Sequence, residues 1–466
     1  MTGVQPYPAY RDSGVEWLGK VPEHWEVRRL KHWLEINERA LPEDTDPEYT
    51  FGYLDIGSVT TGRLATKPER LRFQNAPSRA RRVVRHGDTI VSTVRTYLKA
   101  VWHATNPEDG LIASTGFAVL TPRDDAFPEF VSYTCQSDPF TERVTAESVG
   151  IAYPAIAETK LATFEVCVPP LAEQAAIARF LDHADRRIRR CIRAKERLVE
   201  LLGEQKQAII HQAVTGRINV RTGQPYPAYR DSGVEWLGKV PEHWEVWRLK
   251  FLIEGKLTYG TNAAAKYTNT EWPRYLRITD FAPNGRLRHD TFRSLPPEAA
   301  KDCLVEPGDV LLARSGTVGK AFLVEDNSGE ACHAGYLIKA RPNHTHLLPS
   351  FLFDFTQSAE FRRWKDLTLI ITTIPNISAD KYSNLPVPTP PLSEQTAIAR
   401  FLDHADRRIS ERQSATVREI ELLREYRTCL IADVVTGKLD AREAAARLPD
   451  GDDEKAGKQS PEELHE

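Results

Sequence analysis

The chain lacks most of what would place it quickly. Its 466 residues contain no C-x-x-C pair, and the six cysteines (Cys135, Cys167, Cys191, Cys303, Cys332 and Cys429) are scattered. That spacing fits reduced thiols in a cytoplasm better than a disulfide frame or a structural zinc site. No apolar run approaches membrane-spanning length, and the first residues are polar with no apolar signal region. There is no excess of charge of either sign. A net −3 and a pI of 6.5 argue against a strongly basic, sequence-independent nucleic-acid binder, although local basic patches remain compatible with them.

Catalytic motifs are also missing. There is no G-x-S-x-G or H-E-x-x-H and no zinc-ligand spacing. The run Arg314 to Ala321 (RSGTVGKA) resembles a P-loop, but two residues separate its glycines where four are needed. Ala321 stands where Ser or Thr would bind magnesium. His344-x-His346 reads as a polar loop, not a metal site, and Asp138-Pro139-Phe140 lacks the second proline of an amino-methyltransferase tetrad. No catalysis, metal or cofactor is expected of this chain alone.

What is there is repetition. Gln5 to Val27 recurs without change at Gln224 to Val246, and Leu171 to Ile188 returns at Leu392 to Ile409 with two substitutions. Between these phrases lie two dissimilar stretches of nearly equal length, Trp33 to Cys167 and Leu252 to Val387. One frame with two different fillings presents two distinct surfaces on a common scaffold.

Each opening phrase (5–31 and 224–250) carries too much Pro, Gly and aromatic character for a helix and reads as extended chain and turns. Core packing is the plainer role for its tryptophans, and partner binding the other. The fillings (1–168 and 217–389 with their opening phrases) read as mixed α/β domains with a twisted or curled sheet. Strand-like runs lie at Gly87 to Ser92 and Gly308 to Ala313, and a helical stretch at Pro349 to Trp364.

The third part of each copy is a long helix, over 169–216 and 390–437. Pro169-Pro170 precedes the first and Gly216 stops it, while Ser393 is a suitable cap for the second. Heptad spacing picks out Ile177, Leu181, Ala184, Ile188, Cys191, Leu198, Leu202 and Ile209, with Lys195 and Gln205 filling gaps. The second stripe runs through Ile398, Leu402, Ala405, Ile409, Ile420, Leu423 and Leu430. Each helix, roughly 60 Å long, needs a partner helix to bury its apolar face. The first helix leaves one domain and enters the other, so a pair formed with the second must be antiparallel. The expected architecture is α+β, with two domains in pseudo-two-fold arrangement about a two-helix coiled coil. Residues 438–466 read as a disordered tail.

Basic loops occupy matching places in the two fillings, since Gly87 aligns with Gly308 and Lys99 with Lys320. The first set is Arg79, Arg81, Arg82, Arg85, Arg95, Tyr97 and Lys99; the second is Arg314, Ser315 and Lys320. Arg274, Arg277, Arg362 and Arg363 lie beside aromatics. Each residue alone fits a solvated charged face. Their matched placement favours contact with phosphates and base edges.

The phrase W-L-G-x-V-P-x-H-W-E-V at Trp17 to Val27 and Trp236 to Val246 now combines with P-P-L-x-E-Q-x-A-I-A-x-F-L-D at Pro169 to Asp182 and Pro390 to Asp403. Together they resemble the specificity subunit of type I restriction–modification systems, over nearly the whole chain. The run Gly308 to Lys320 is similar to that family's recognition domains, whereas Val94 to Lys99 departs from it. The resemblance implies a non-catalytic DNA-reading subunit in which each variable domain reads half of a bipartite double-stranded target. It implies two methyltransferase subunits and two ATP-dependent restriction subunits as partners, which carry S-adenosylmethionine, ATP and magnesium. Unlike fillings imply a non-palindromic target, and half-sites centred about one duplex turn apart follow from a rigid spacer. A structural coiled-coil adaptor and a stand-alone DNA-modifying enzyme are the alternatives; the first leaves the divergent fillings unexplained.

Overall fold

A computed structural model describes residues 4–449 apart from 283–284, 286, 289, 326–328 and 370–374. It divides into two compact units: residues up to Ala194 with those from Arg418 onward, and Lys195–Val417.

In the first unit the opening phrase forms a hairpin, Tyr10–Asp12 against Lys20–Pro22, and then the strand Glu26–Arg29, which pairs antiparallel with Glu165–Val168. That pairing joins the two ends of the filling. Inside it lie two four-stranded sheets. One is ordered Val101–His103, Thr89–Ser92, Phe117–Pro122, Leu34–Ile36. The other runs Glu69–Arg72, Thr50–Leu54, Leu111–Ser114, Ala80–Val83, with a parallel pair between Thr50–Leu54 and Leu111–Ser114. Alternating apolar residues such as Leu54, Ile90, Leu111 and Phe117 are buried between strands and form a core.

The second unit repeats this plan despite its different sequence. Its hairpin is Tyr229–Asp231 against Lys239–Pro241, and Glu245–Arg248 pairs with Pro386–Thr389. The sheet Thr258–Tyr259, Leu337–Ala340, Val310–Ala313, Ala321–Leu323 corresponds to the first four-stranded sheet read in reverse. A three-stranded sheet, with Arg274–Leu276 parallel to Ala331–His333, corresponds to the second. The stretch from Pro349 is not one helix. Pro349–Thr356 and Ala359–Thr368 are separate, because the Ser358 side chain accepts from Phe361 N–H and starts a new helix.

The long helices span Leu171–Val214 and Leu392–Val435. Ser393 lies inside the second, not at its cap; the first turn is instead met by Pro391, whose carbonyl accepts from Glu394 and Gln395 N–H. In the first unit the start of one helix packs on the end of the other: Ile177, Leu181 and Ala184 share a core with Leu430, Ile431 and Val434. In the second unit the end of the first helix (Ile210, Ala213, Val214) shares a core with the start of the second (Ile398, Leu402). Both pairings are antiparallel.

The stripe of the first helix runs in a different phase from the one the spacing suggests. Cys191 is exposed and Leu198 is 44% exposed. From Ile188 the shielded positions are Ile192, Lys195, Val199, Leu202, Lys206 and Ile209 or Ile210. Counting four residues from Ile188, not three, keeps the heptad in step, and Gln205 falls outside it. In the second helix Ile398, Leu402, Ile409 and Ile420 are buried and Leu423 half-buried. Polar groups enter its seam as well. Gln413 Nε2 donates to Val199 O at 3.2 Å and Lys206 pairs with Asp406, while in the first unit Arg427 pairs with Asp185. Such layers pin register at some cost in stability.

Both helices end alike, in glycines with positive φ, Gly216 (+71°) and Gly437 (+78°). Arg217 N–H donates to Gln212 O and Lys438 N–H to Asp433 O, closing the same terminal motif. A β-carbon at Gly216 would collide with Pro241 and Trp244, and one at Gly437 with Pro22 and Trp25. The expected tail is in part ordered. Asp440 N–H donates to Gln5 O at 2.7 Å, Arg442–Ala446 is helical, and Ala441 and Ala445 are buried. Small alanine side chains let this segment seat against the core despite its charge. The rest of the expected tail, 450–466, lies outside the described residues.

Candidate nucleic-acid interface

A single carboxylate in each unit fixes the opening phrase to the start of a long helix. In the first, Glu173 is buried and accepts from Tyr7 OH (2.6 Å), Trp25 Nε1 (3.0 Å) and His24 Nε2 (2.8 Å). In the second, Glu394 meets Tyr226 OH (2.8 Å), Trp244 Nε1 (3.0 Å) and His243 Nε2 (2.7 Å). Burial alone would raise Glu394, but the donors Tyr226, Trp244 and His243 outweigh it and hold the carboxyl below its ordinary value. The tryptophans of the repeated phrase are therefore core groups (Trp25 1% and Trp244 0% exposed). The glutamates were not singled out in the sequence. Their signal was present: Tyr, His, Trp and Glu recur together in both copies.

On this base the hairpin connections after Thr89–Ser92 and Val310–Ala313 are held out as loops. In the second unit Arg314 stacks over Tyr259 (4.7 Å), and its Nε donates to Asn376 Oδ1 at 3.4 Å. Ser315 bridges to Asn376. Arg314, Ser315 and Asn376, with Asn262, Gly335 and the 61% exposed Tyr336, line a cavity of about 400 Å³. Arginine and asparagine side chains in one open pocket match the donor and acceptor edges of guanine and adenine. Lys320 is exposed nearby in sequence at the far side of the same connection.

In the first unit the connection is a tight turn. Arg95 (φ +51°) and Lys99 (φ +48°) flank the short helical turn Thr96–Leu98. Arg95 N–H donates to Pro154 O at 2.7 Å, and the Thr96 hydroxyl meets Ser148 Oγ at 2.8 Å, tying the turn to the 147–155 loop. Arg95 stacks over Tyr153 (5.0 Å), and Tyr97 is 55% exposed. Lys99 is spent within the unit, its Nζ 2.8 Å from Asp138.

The other basic residues divide. Arg85 is exposed; Arg79 is exposed but bonded to Tyr53 OH and Asp55. Arg81, half-buried on the strand Ala80–Val83, lies over Phe73 (5.0 Å), and Arg82 is paired with Glu158. Arg274 and Arg277 are engaged by groups of their own unit. Arg274 is 8% exposed, donates to Arg288 O and lies over Phe292; burial pulls its guanidinium below its ordinary value against the pull of Asp280. Arg277 forks onto the buried Asp280 (2.6 and 3.0 Å). Arg362 donates to Gln207, and Arg363 to Trp236 O. Tyr153, Tyr259, Asn262, Tyr336 and Asn376 join the two loops from distant segments and carry no local signal in the sequence.

Comparison with known proteins agrees with this geometry. The family model "Type I restriction modification DNA specificity domain" matches residues 22–196 and 241–420, one match for each frame and filling. The MjaIX type I restriction enzyme specificity subunit of Methanocaldococcus jannaschii is 23% identical over 444 residues, covering 91% of this chain and 96% of that one. A chain from a structure of type I restriction–modification complex assembly and conformational transition overlays with a TM-score of 0.72 at 24% identity, over 89% of this chain and 98% of that one. The HsdS subunit from Thermoanaerobacter tengcongensis overlays with a TM-score of 0.55 at 23% identity, over 90% and 98%. With two family domains carrying two unlike loop sets on one repeated frame, this chain belongs to the family of type I restriction–modification DNA specificity subunits.

Proposed function

We propose that the chain reads a bipartite, non-palindromic DNA target in the cytoplasm, one half-site per filling, and performs no catalysis itself. It scaffolds two methyltransferase subunits, which bring S-adenosylmethionine. Two restriction subunits bring ATP and magnesium. The observation that carries this reading is the pairing of an invariant joint with divergent loops. Tyr, His, Trp and Glu meet identically in both units, while Arg95, Tyr97 and Tyr153 stand in one and Arg314, Asn262 and Asn376 in the other. An adaptor without sequence preference has no use for that divergence.

Two measurements test it. Gel-shift titration of the methyltransferase-bound chain should show preference for one bipartite sequence over competitor DNA, and equal affinity for all sequences sinks the proposal. Single-molecule sequencing of methylated bases in host DNA should return two unlike half-sites at a fixed gap. Shortening both long helices by a matched block should then change the gap and leave the half-sites alone. An unchanged gap removes the helices as its ruler.

A further inference from the structure

The largest exposed apolar group in the first unit sits on its loop surface. Ile151 is fully exposed (104%), flanked by Val149 (81%) and Tyr153 (67%). This is not a frayed loop. Val149 and Ala155 exchange both backbone hydrogen bonds (2.9 and 3.0 Å), and Gly150 takes φ +115°, a conformation that L side chains rarely adopt. Arg95 lies on Tyr153, and Val94 bridges to Ala155. The loop is thus fastened to the turn proposed to face DNA. At the matching place in the second unit Ser315 bridges to Asn376, which lines the cavity.

Resting on the reading above, we propose that the Val149–Tyr153 turn recognises thymine through its C5 methyl group in the major groove. An isoleucine cannot hydrogen-bond. Pressed against any other base edge it would strip water from donors and acceptors and return nothing. The thymine methyl is the one apolar feature that the major groove offers. Arg95 beside it supplies the positive charge that brings a phosphate or a guanine edge to the same place. Read this way, the two units differ in kind: the first reads partly by apolar contact, the second by polar groups in a cavity.

Deoxyuridine lacks only that methyl, so the test is a scan of the target with uracil in place of each thymine in turn. Binding is measured for the methyltransferase-bound full chain and for its Ile151→Ala variant, whose side chain is too exposed to support the fold. At one or two positions uracil should weaken the wild-type complex about fourfold, the worth of one buried methyl, and should cost the variant nothing. A target without a methyl-sensitive thymine, or a variant that keeps the full wild-type dependence on the methyl, overturns the inference while leaving sequence-specific binding intact. Absence of any sequence preference in the wild type would instead take down the proposed function and this inference together.

Discussion

Tyr133 and Asp354 hold the same place in their respective units and meet the same problem in opposite ways. Each lies on the helix beneath a pair of helix carboxylates, Asp182 and Asp185 in one unit, Asp403 and Asp406 in the other. Tyr133 OH donates to Asp182 at 2.6 Å, and Arg189 and Arg427 hold Asp185. Burial still lifts Asp182 above its ordinary value. In the second unit a third carboxyl stands where the phenol would be. Burial first, then repulsion from Asp406 and Asp403, pushes Asp354 up to about 8 against the pull of Lys206. Asp354 is thus held toward its protonated form. Both places border a cavity, of about 430 Å³ at Asp354, lined by Phe353, Leu402, Asp403 and Asp406 among others, and of about 330 Å³ at Tyr133. The same place in the frame takes a phenol from one filling and a carboxyl held toward protonation from the other.

The comparison breaks most visibly at the joints. Trp25→Ala and Trp244→Ala should each cost about 3–5 kcal/mol in denaturant unfolding. The first should be the more damaging, because Glu173 beneath Trp25 is 6% exposed against 18% for Glu394. An equal or smaller loss at Trp25 would show that burial of the carboxylate does not set the worth of the joint. Among the arginines, Arg314→Ala should weaken target binding by about 1–3 kcal/mol without lowering the melting temperature. Arg274→Ala should lower the melting temperature, since it removes a buried group, and any DNA defect should follow from that loss. The reverse pattern would exchange their roles.

Removing the titratable group at Asp354 sharpens the contrast next. A carboxyl whose folded pKa is raised contributes stability below its unfolded value, and that contribution is lost as pH rises. Asp354→Asn should therefore gain stability over wild type steadily between about pH 4 and 8, by no more than about 1.4 kcal/mol per pH unit. Tyr133→Phe should cost about 1 kcal/mol at neutral pH and less at acid pH, because the phenol's hydrogen bond holds Asp182 down. Parallel melting curves for the two variants across pH would refute the assignment. The smallest difference tests the helix phase. Val199→Ala should cost about 1 kcal/mol, whereas the exposed Leu198→Ala should stay within about 0.5 kcal/mol.

That last pair shows where the sequence was legible and where it was not. The frame could be read because it is written twice, and repetition separates what the scaffold needs from what it carries. The strands after Gly87 and Gly308 and the span of both long helices were read from local pattern, since glycine stops and proline starts act locally. The phase of the first stripe was misread because Cys191 and Leu198 are apolar enough to pass for seam residues, and a three-step and a four-step count differ by one residue. Arg274 and Arg277 look like surface arginines in sequence; Asp280, Phe292 and the carbonyls of Arg288 and Thr291 make them internal. Tyr259, Asn262 and Asn376 gather around Arg314 only after strand pairing.

Gln5 meets Asp440 as Gln224 meets Asn219, with one difference. Between Asn219 and Gln224 runs a short stretch of peptide, whereas the segment from Gly437 to Pro449 is held to the opening phrase through contacts alone, among them the Asp440 backbone bond to Gln5, Tyr10 OH on Lys438 O, and Arg442 over Tyr7. An untethered seam bears the full ordering entropy that a link of four residues mostly removes. Transient opening in the first unit should therefore begin there, laying bare the Tyr7 and Trp25 side of the joint while its covalently joined twin stays closed.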